Sequence, residues 1–190
     1  QGGRGGVVLQ TQLSRIDCDE MDVFLTREKK VEHVACLGTV RMRRTEKDRQ
    51  IALTGGRIGV DFNPANSRLV RILAEEPASL QSVDGTLTAA RIEIFANDQG
   101  ALDRLLATGE SRLDLPAHRA GLSGERFQVF FGPQARLLRL ELEERACLQQ
   151  QVEKGAFELK AHQVQILFQE EAAANTLRQV RASRQGRFVQ

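Results

Sequence analysis

The chain has 190 residues, of which 41% are hydrophobic, 27 are basic and 25 are acidic. This length is typical of one domain with a large apolar interior, and the formal net charge of +2 is far below that of nucleic-acid-binding surfaces. We therefore expect no nucleic-acid partner. No apolar run reaches the length of a membrane span. The chain opens on Gln1-Gly2-Gly3 without a signal peptide, so we expect a mature form from which a leader or anchor has been removed.

Residues 1–15 form a lead before the repeated part of the chain. Its start, Gln1–Gly6, is glycine-rich and is predicted to be flexible, whereas Val7–Leu9 is a candidate for the end of an incomplete repeat. From Ile16 onward, apolar and polar residues alternate in paired segments around a polar turn, which predicts β hairpins. Five copies of this pattern occur, with first apolar residues 34–37 positions apart. These first residues are Ile16, Leu53, Leu87, Leu122 and Leu159.

The third copy, Gly85–Leu115, shows the pattern most clearly. One apolar step on each strand spans three residues, from Ala89 to Ile92 and from Leu102 to Leu105. Such a step reverses the face of a flat strand, so it predicts a bulge or corner, with the two odd steps nearly opposite each other. Both steps recur in every copy, which predicts an all-β antiparallel meander of about ten bent strands. The predicted turns are Arg27–Lys30, Asn63–Asn66, Asn97–Gly100, Gly132–Gln134 and Glu170–Asn175.

The apolar positions beside the predicted corners are mostly small. Two small rows that face each other either let two sheets pack tightly or leave an open groove. The alternatives predict opposite results for Ala107→Phe, because the ring would overpack a core but would fit into a groove. The small positions are Cys18, Gly55, Ala89, Gly124 and Ala161 on the first strands, and Cys36, Ala74, Ala107, Leu142 and Ala182 on the second strands.

The charged and titratable residues do not form a recognisable catalytic set. Aligned arginines flank inward apolar positions, so we expect them on the outer face, as a solvated row paired with Glu and Asp. The histidines His33, His118 and His162 fall in different repeats without metal-ligand spacing, and we expect them at the surface. We therefore predict a non-enzymatic protein without a metal or cofactor. The aligned arginines are Arg57, Arg91 and Arg126 in one set and Arg71, Arg104 and Arg139 in the other.

Residues Leu87–Leu113 carry the pattern Leu-Thr-Ala-x-Arg-Ile-x-Ile followed by Leu-x-x-Leu-x-Ala-x-Gly-x-x-x-Leu. This pattern resembles the OstA-like repeat of periplasmic lipopolysaccharide-transport proteins, namely the LptA and LptC family and the amino-terminal domain of LptD. The resemblance covers about Ile16–Phe188. It implies that residues 16–190 form one open, twisted β-jellyroll with about five bent hairpins. The implied function is a bridge or carrier that moves lipopolysaccharide, or a related glycolipid, to the outer membrane.

The resemblance further implies that acyl chains lie in an apolar groove, which favours the open alternative at the small rows. The implied location is the periplasm, with an optional tether to the inner membrane through a removed anchor. Other OstA-like proteins, or further copies head to tail, would join the edge strands near Val7–Ile16 and Leu177–Phe188. The competing hypothesis is a structural β-repeat scaffold that binds protein partners through these edges and carries no lipid. The predicted groove residues are Val23, Val34, Ile58, Val60, Ile72, Ala74, Ala89, Ile92, Ile94, Leu105, Ala107, Phe127, Val129, Leu140, Leu142, Val164 and Ile166.

Three cysteines remain to be placed. Cys18 and Cys36 occupy facing positions of the predicted hairpin centred on Arg27. In an oxidising periplasm they either form a disulfide or stay as two inert buried thiols. Cys147 follows the inward Ala146, so we expect it to face outward and to be free.

Overall fold

A computed structural model of the chain describes thirteen β-strands joined in one antiparallel sheet. The described residues are 6–10, 14–46, 49–133, 136–152, 155–169, 177–183 and 187–189. The strands are β1 (Val7–Gln10), β2 (Ser14–Cys18), β3 (Glu20–Leu25), β4 (Val31–Glu46), β5 (Arg49–Asn63), β6 (Arg68–Gln81), β7 (Thr86–Ala96), β8 (Leu102–Leu115), β9 (Ala120–Phe131), β10 (Leu137–Val152), β11 (Gly155–Phe168), β12 (Leu177–Ser183) and β13 (Arg187–Val189). The sheet does not close on itself, so the predicted all-β, open jellyroll meander is confirmed.

The strand count differs from the predicted ten for a simple reason. Strands β4 to β11 are long and continuous, but the first and last bent strands of the repeat are each broken into two. Both β2 and β3 pair with β4, and both β12 and β13 pair with β11. At the first break, the Asp19 carboxylate accepts a hydrogen bond from the backbone N–H of Thr39 at 3.0 Å.

The lead before the repeat is partly built into the sheet. Val7–Gln10 forms a strand that pairs along β2, so the predicted division at residue 16 does not coincide with a boundary of the sheet. Residues 1–5 of the predicted flexible lead, and the predicted turn at Glu170–Asn175, lie outside the described residues.

The predicted corner on the first strands is confirmed. On β7 the register with β8 shifts between Thr88 and Arg91, so the step from Ala89 to Ile92 spans the bulge. A three-residue step keeps both apolar residues on the inner face because the bulge turns the strand back. Corresponding shifts occur on β5 and β9 at the same position of the repeat.

The predicted irregularity on the second strands is confirmed as a bulge, since the register of β8 with β7 shifts between Leu102 and Arg104. Its predicted place opposite the step from Ala89 to Ile92 is wrong. The bulge lies near the hairpin tip, whereas β8 bends between Thr108 and Ser111. Here the chain turns through positive φ angles. Gly109 has φ +77°, and a Cβ on it would lie 2.8 Å from the Cβ of Ala90, so glycine relieves both strain and a clash. Positive φ recurs at the corresponding bend of β4, β6 and β10, at Gly38, Glu76, Glu144 and Arg145.

The bulges fold the sheet into two arms. We call arm A the half of each strand that contains Leu53, Leu87 or Leu122, and arm B the half on the other side of the bulge. Buried apolar residues of both arms belong to a single cluster, so the inner faces of the arms form one core. Burial of this continuous apolar strip stabilises repeats that could not bury their inner face alone.

Candidate functional site

The predicted groove residues lie on the inner faces of the arms. All but two of them are buried, and most have at most 9% of their surface exposed. The exceptions are Ile94, which is half-buried, and Val23, which lies on the edge strand β3 with half of its surface exposed. The sequence pattern therefore located the inner face well, except at the end of the sheet where no further strand covers it.

The inner row of arm B beside the corner alternates large and small side chains. Ile58, Ala74, Ile92, Ala107 and Phe127 are successive register partners across β5 to β9, and each is 0% exposed. Zero exposure means that no space the size of a water molecule touches them. Each alanine lies between large neighbours, which is how close packing is reached. This arrangement favours the tightly packed alternative for the small rows.

A half-buried apolar row follows the hairpin tips of arm B. Each of its members packs against the margin of the core, and part of each side chain remains exposed to water. We call this row the rim. Arm A has a comparable half-buried row with Met42, Leu80, Leu113 and Leu148, so among the described residues the rim is one of two places where an apolar molecule could contact the interior. The rim residues are Phe62, Leu69, Ile94, Phe131, Leu137 and Phe168.

Each end of the described sheet presents two strand edges. The amino-terminal end has β1 in arm A and β3 in arm B, whereas the carboxy-terminal end has β13 in arm A and β12 in arm B. The predicted edge extending to Ile16 is therefore corrected, since β2 lies between β1 and β4. The inward side chains of these edges are exposed at Val7 and Val180 (38% each) and at Val23 (50%). Apolar inner surface and unpaired backbone coincide at both ends.

Four of the six arginines in the predicted rows form ion pairs on the outer face. The ion pairs there are Arg71 with Asp61 and Glu93, Arg91 with Glu75 and Glu93, Arg126 with Glu143, and Arg139 with Glu141. The Arg104 guanidinium stacks on the ring of Phe95 at 4.5 Å, and that of Arg139 on Phe130 at 4.0 Å. Among the described residues, Arg57 and Arg104 form no ion pair with a carboxylate, so the predicted pairing holds for four of the six.

A polar cluster on the outer face of arm B contains the one predicted surface histidine that is half-buried. His33 Nδ1 lies 2.6 Å from Asp61 Oδ1, and Arg71 donates to Asp61 Oδ2 at 2.8 Å. Partial burial opposes ionisation of Asp61, but the hydrogen bonds from His33 and Arg71 outweigh it and lower the pKa of Asp61. His118 and His162 are exposed, as predicted.

Because its folded-state pKa is lowered, Asp61 stabilises the fold above its unfolded pKa of about 3.9, and this contribution disappears as the pH falls through the folded value. We expect Asp61→Asn to be less stable than wild type at pH 6, with the difference shrinking below pH 4. Urea unfolding at both pH values measures this. Asp98→Asn, at an exposed turn position, is the control. An undiminished difference at low pH would contradict the assignment.

Of the two alternatives for Cys18 and Cys36, the structure has the two buried thiols rather than the disulfide. The thiols are neighbours, but the prediction that they are register partners is wrong. The register pairs Cys36 with Met21 and Cys18 with Val7, because the strand breaks at the residue after Cys18. Both cysteines are free and buried. Burial and the neighbouring Cys18 raise the pKa of Cys36 to about 12, so this thiol stays protonated and unreactive. Cys147 is free and half-buried on the outward side, as predicted.

The sequence interpretation missed a cavity of about 420 Å³ on the outer face of arm A. Its lining includes Arg41 and Arg43, which lie two positions apart on β4 and so share one face. The available signal was an Arg-x-Arg pair on a strand followed by small and hydroxyl residues on the next two strands. That signal is visible only once the strand register is known.

Within the described ranges, no group of three His, Cys, Asp or Glu residues is placed to hold a metal ion. Among the same residues, no helix is long and apolar enough to span a membrane. In comparisons with known proteins, no family model, curated protein or solved structure matches the chain.

Proposed function

We propose that the chain is a bridging module that joins neighbouring β-repeat proteins, or further copies of itself, through its end strands. The observation that supports this is the coincidence of unpaired strand edges with exposed inward apolar side chains at both ends. An unpaired edge offers free N–H and C=O groups to another strand. Pairing there would also bury the exposed valines, so both interactions favour the same contact.

The two ends are complementary. Each end has one edge in arm A and one in arm B, so β1 and β3 of one molecule can meet β13 and β12 of the next. Such a contact joins different surfaces and leaves the far ends free, which generates an open filament rather than a closed dimer. The resemblance to OstA-like repeats suggests the same head-to-tail arrangement and a periplasmic location.

Val23→Lys tests the proposal, because an inward-pointing lysine on an edge strand blocks strand addition. We expect wild type to associate as its concentration rises and Val23→Lys to remain monomeric, as measured by sedimentation velocity. Val70→Lys is the matched control. Val70 is similarly exposed at 43% but lies on β6, which has partners on both sides. A monomeric wild type, or equal loss of association in both variants, would count against the bridge.

Glycolipid carriage is the second candidate function. It is supported by the half-buried apolar rim, which continues into an uninterrupted apolar interior. Because the inner row beside the corner has no exposed surface, acyl chains would enter only if the arms part along the rim. In this proposal the molecule is a non-enzymatic carrier of lipopolysaccharide or a related glycolipid within the bridge.

Adjacent residues on β6 provide a sharp test of carriage. Leu69 belongs to the rim and packs against the core, whereas the next residue, Val70, does not pack against the core and is 43% exposed. With a photoreactive amino acid at each position in turn, we expect purified lipopolysaccharide to crosslink at position 69 and not at position 70. Equal crosslinking, or none at position 69, would favour the scaffold that binds only proteins.

A further inference from the structure

The cavity on the outer face of arm A is built from two cross-strand rows. Arg41, Thr54 and Ser79 are register partners on β4, β5 and β6, and the next row contains Arg43, Ala52 and Gln81. The two arginine side chains thus form one side of the cavity, and the shorter side chains of Ala52, Thr54 and Ser79 form its floor. On the far side, Val83 rises from the turn between β6 and β7 and lines the same cavity. The result is a trough of about 420 Å³, within the usual range for small-ligand sites.

Arg15 and Arg112, on the outer face of the same arm, are ion-paired, whereas among the described residues the two arginines of the trough are not. Neither Arg41 nor Arg43 forms an ion pair with a carboxylate in the part of the chain that the structure describes. The nearest acid along the rows, Asp17, is already held by Arg15 through hydrogen bonds of 2.7 and 2.9 Å. Farther along the sheet, Arg112 is likewise paired with Asp114. The charge of Arg41 and Arg43 is therefore only partly offset, by Asp17, whose pKa is lowered mainly by Arg15 and also by the two trough arginines.

The lining selects one class of ligand. A guanidinium group binds phosphate through several parallel N–H donors. Arg41 and Arg43 place two guanidinium groups along the same cavity. The floor supplies hydroxyl and amide groups from Thr54, Ser79 and Gln81, which can exchange hydrogen bonds with sugar hydroxyls. None of the described residues that line the trough is aromatic, so these residues offer a flat nucleobase no ring to stack on.

We infer that this trough binds a phosphorylated saccharide, with the phosphate on Arg41 and Arg43 and the sugar hydroxyls over Thr54 and Ser79. The inference is independent of end-strand pairing, because the trough lies on the outer face of central strands. The same chemistry occurs in free sugar phosphates and in phosphorylated glycolipid head groups. The experiment therefore includes both sources.

Titration of isotope-labelled protein with glucose 6-phosphate tests the site by amide NMR. We expect saturable shifts at Thr54, Ser79 and their neighbours, with a dissociation constant of about 1 mM. Glucose and inorganic phosphate alone should bind at least about tenfold more weakly, since each lacks half of the charge-assisted or hydroxyl contacts. Deacylated lipopolysaccharide, which keeps the phosphorylated sugars, should shift the same amides. Tighter binding than glucose 6-phosphate assigns the trough to head groups, and weaker binding assigns it to free sugar phosphates.

The double variant Arg41→Gln/Arg43→Gln should lower affinity for glucose 6-phosphate at least about tenfold. Arg112→Gln removes an outer-face arginine of the same arm and should leave affinity unchanged. Amide spectra establish that both variants are folded. Equal weakening by the two changes, absence of shifts at the trough, or inorganic phosphate binding as tightly as glucose 6-phosphate would overturn the inference. Sedimentation of the double variant should match wild type, which separates this result from the bridging test.

Discussion

Replacing Phe127 by alanine is expected to lower the free energy of unfolding by about 3–5 kcal/mol. Phe127 is the largest of the described side chains that have no exposed surface, and its register partners on the inner face of arm B are Ala107 and Leu142. Its neighbours belong to strands held on both sides by the sheet, so they cannot collapse fully into the space that the ring leaves. The loss therefore includes both the transfer free energy of the ring and a cavity term.

Phe24→Ala is the matched control, since Phe24 is 52% exposed on the edge strand β3. Its ring packs at a tilt against the ring of His33, with 5.5 Å between centroids. Because Phe24 is largely exposed, we expect a change of about 1 kcal/mol or less. Urea unfolding followed by circular dichroism measures both variants. Similar losses in the two would mean that the interior around Phe127 is not close-packed, and the open-groove alternative would regain support.

Ala107→Phe is expected to destabilise the fold by about 1–3 kcal/mol through overpacking. Ala107 has no exposed surface and is the direct register partner of Phe127, so a second ring would compete for the same volume. The control is Ala101→Phe, which adds the same ring at an exposed turn position. This expectation is opposite to that of an open groove, in which Ala107→Phe would keep its stability and lose lipid capture.

The double variant Ala107→Phe/Phe127→Ala exchanges the two side chains and keeps their summed volume. Residues directly opposite on neighbouring strands are close enough to couple. We expect the double variant to be more stable than the sum of the two single changes predicts. Strict additivity would indicate that the two side chains do not share one space. In that case the packed-core explanation for the alternating row would have to be abandoned.

Most residues of the inner face could be predicted, because every copy of the repeat has inward apolar residues at the same positions. Apolar residues at every second position of a strand identified the inward side chains of arm B from Ile58 to Ile166. The arginines at the alternate positions were accordingly predicted on the outer face, where ion pairs such as Arg91 with Glu75 occur. The bend at Gly109–Glu110 was not predicted, because positive φ angles leave no three-residue step in the apolar pattern. The trough at Arg41 and Arg43 was also missed, since its walls come from three strands and its charge depends on which carboxylates are engaged elsewhere.

The sequence by itself determined that this protein is an open antiparallel meander of bent strands with one apolar face. Alternation, turns and the step from Ala89 to Ile92 are local features, so they appear directly in the order of the residues. Only the tertiary structure decided what the small residues do. Whether Ala107 borders a groove or fills a core depends on Phe127, its partner on the next strand, and on how closely the opposite arm approaches. The ends of the sheet also depend on the tertiary structure. Because the terminal strands are broken in two, each end has two edges, and the strand pairing determines which apolar side chains remain exposed there.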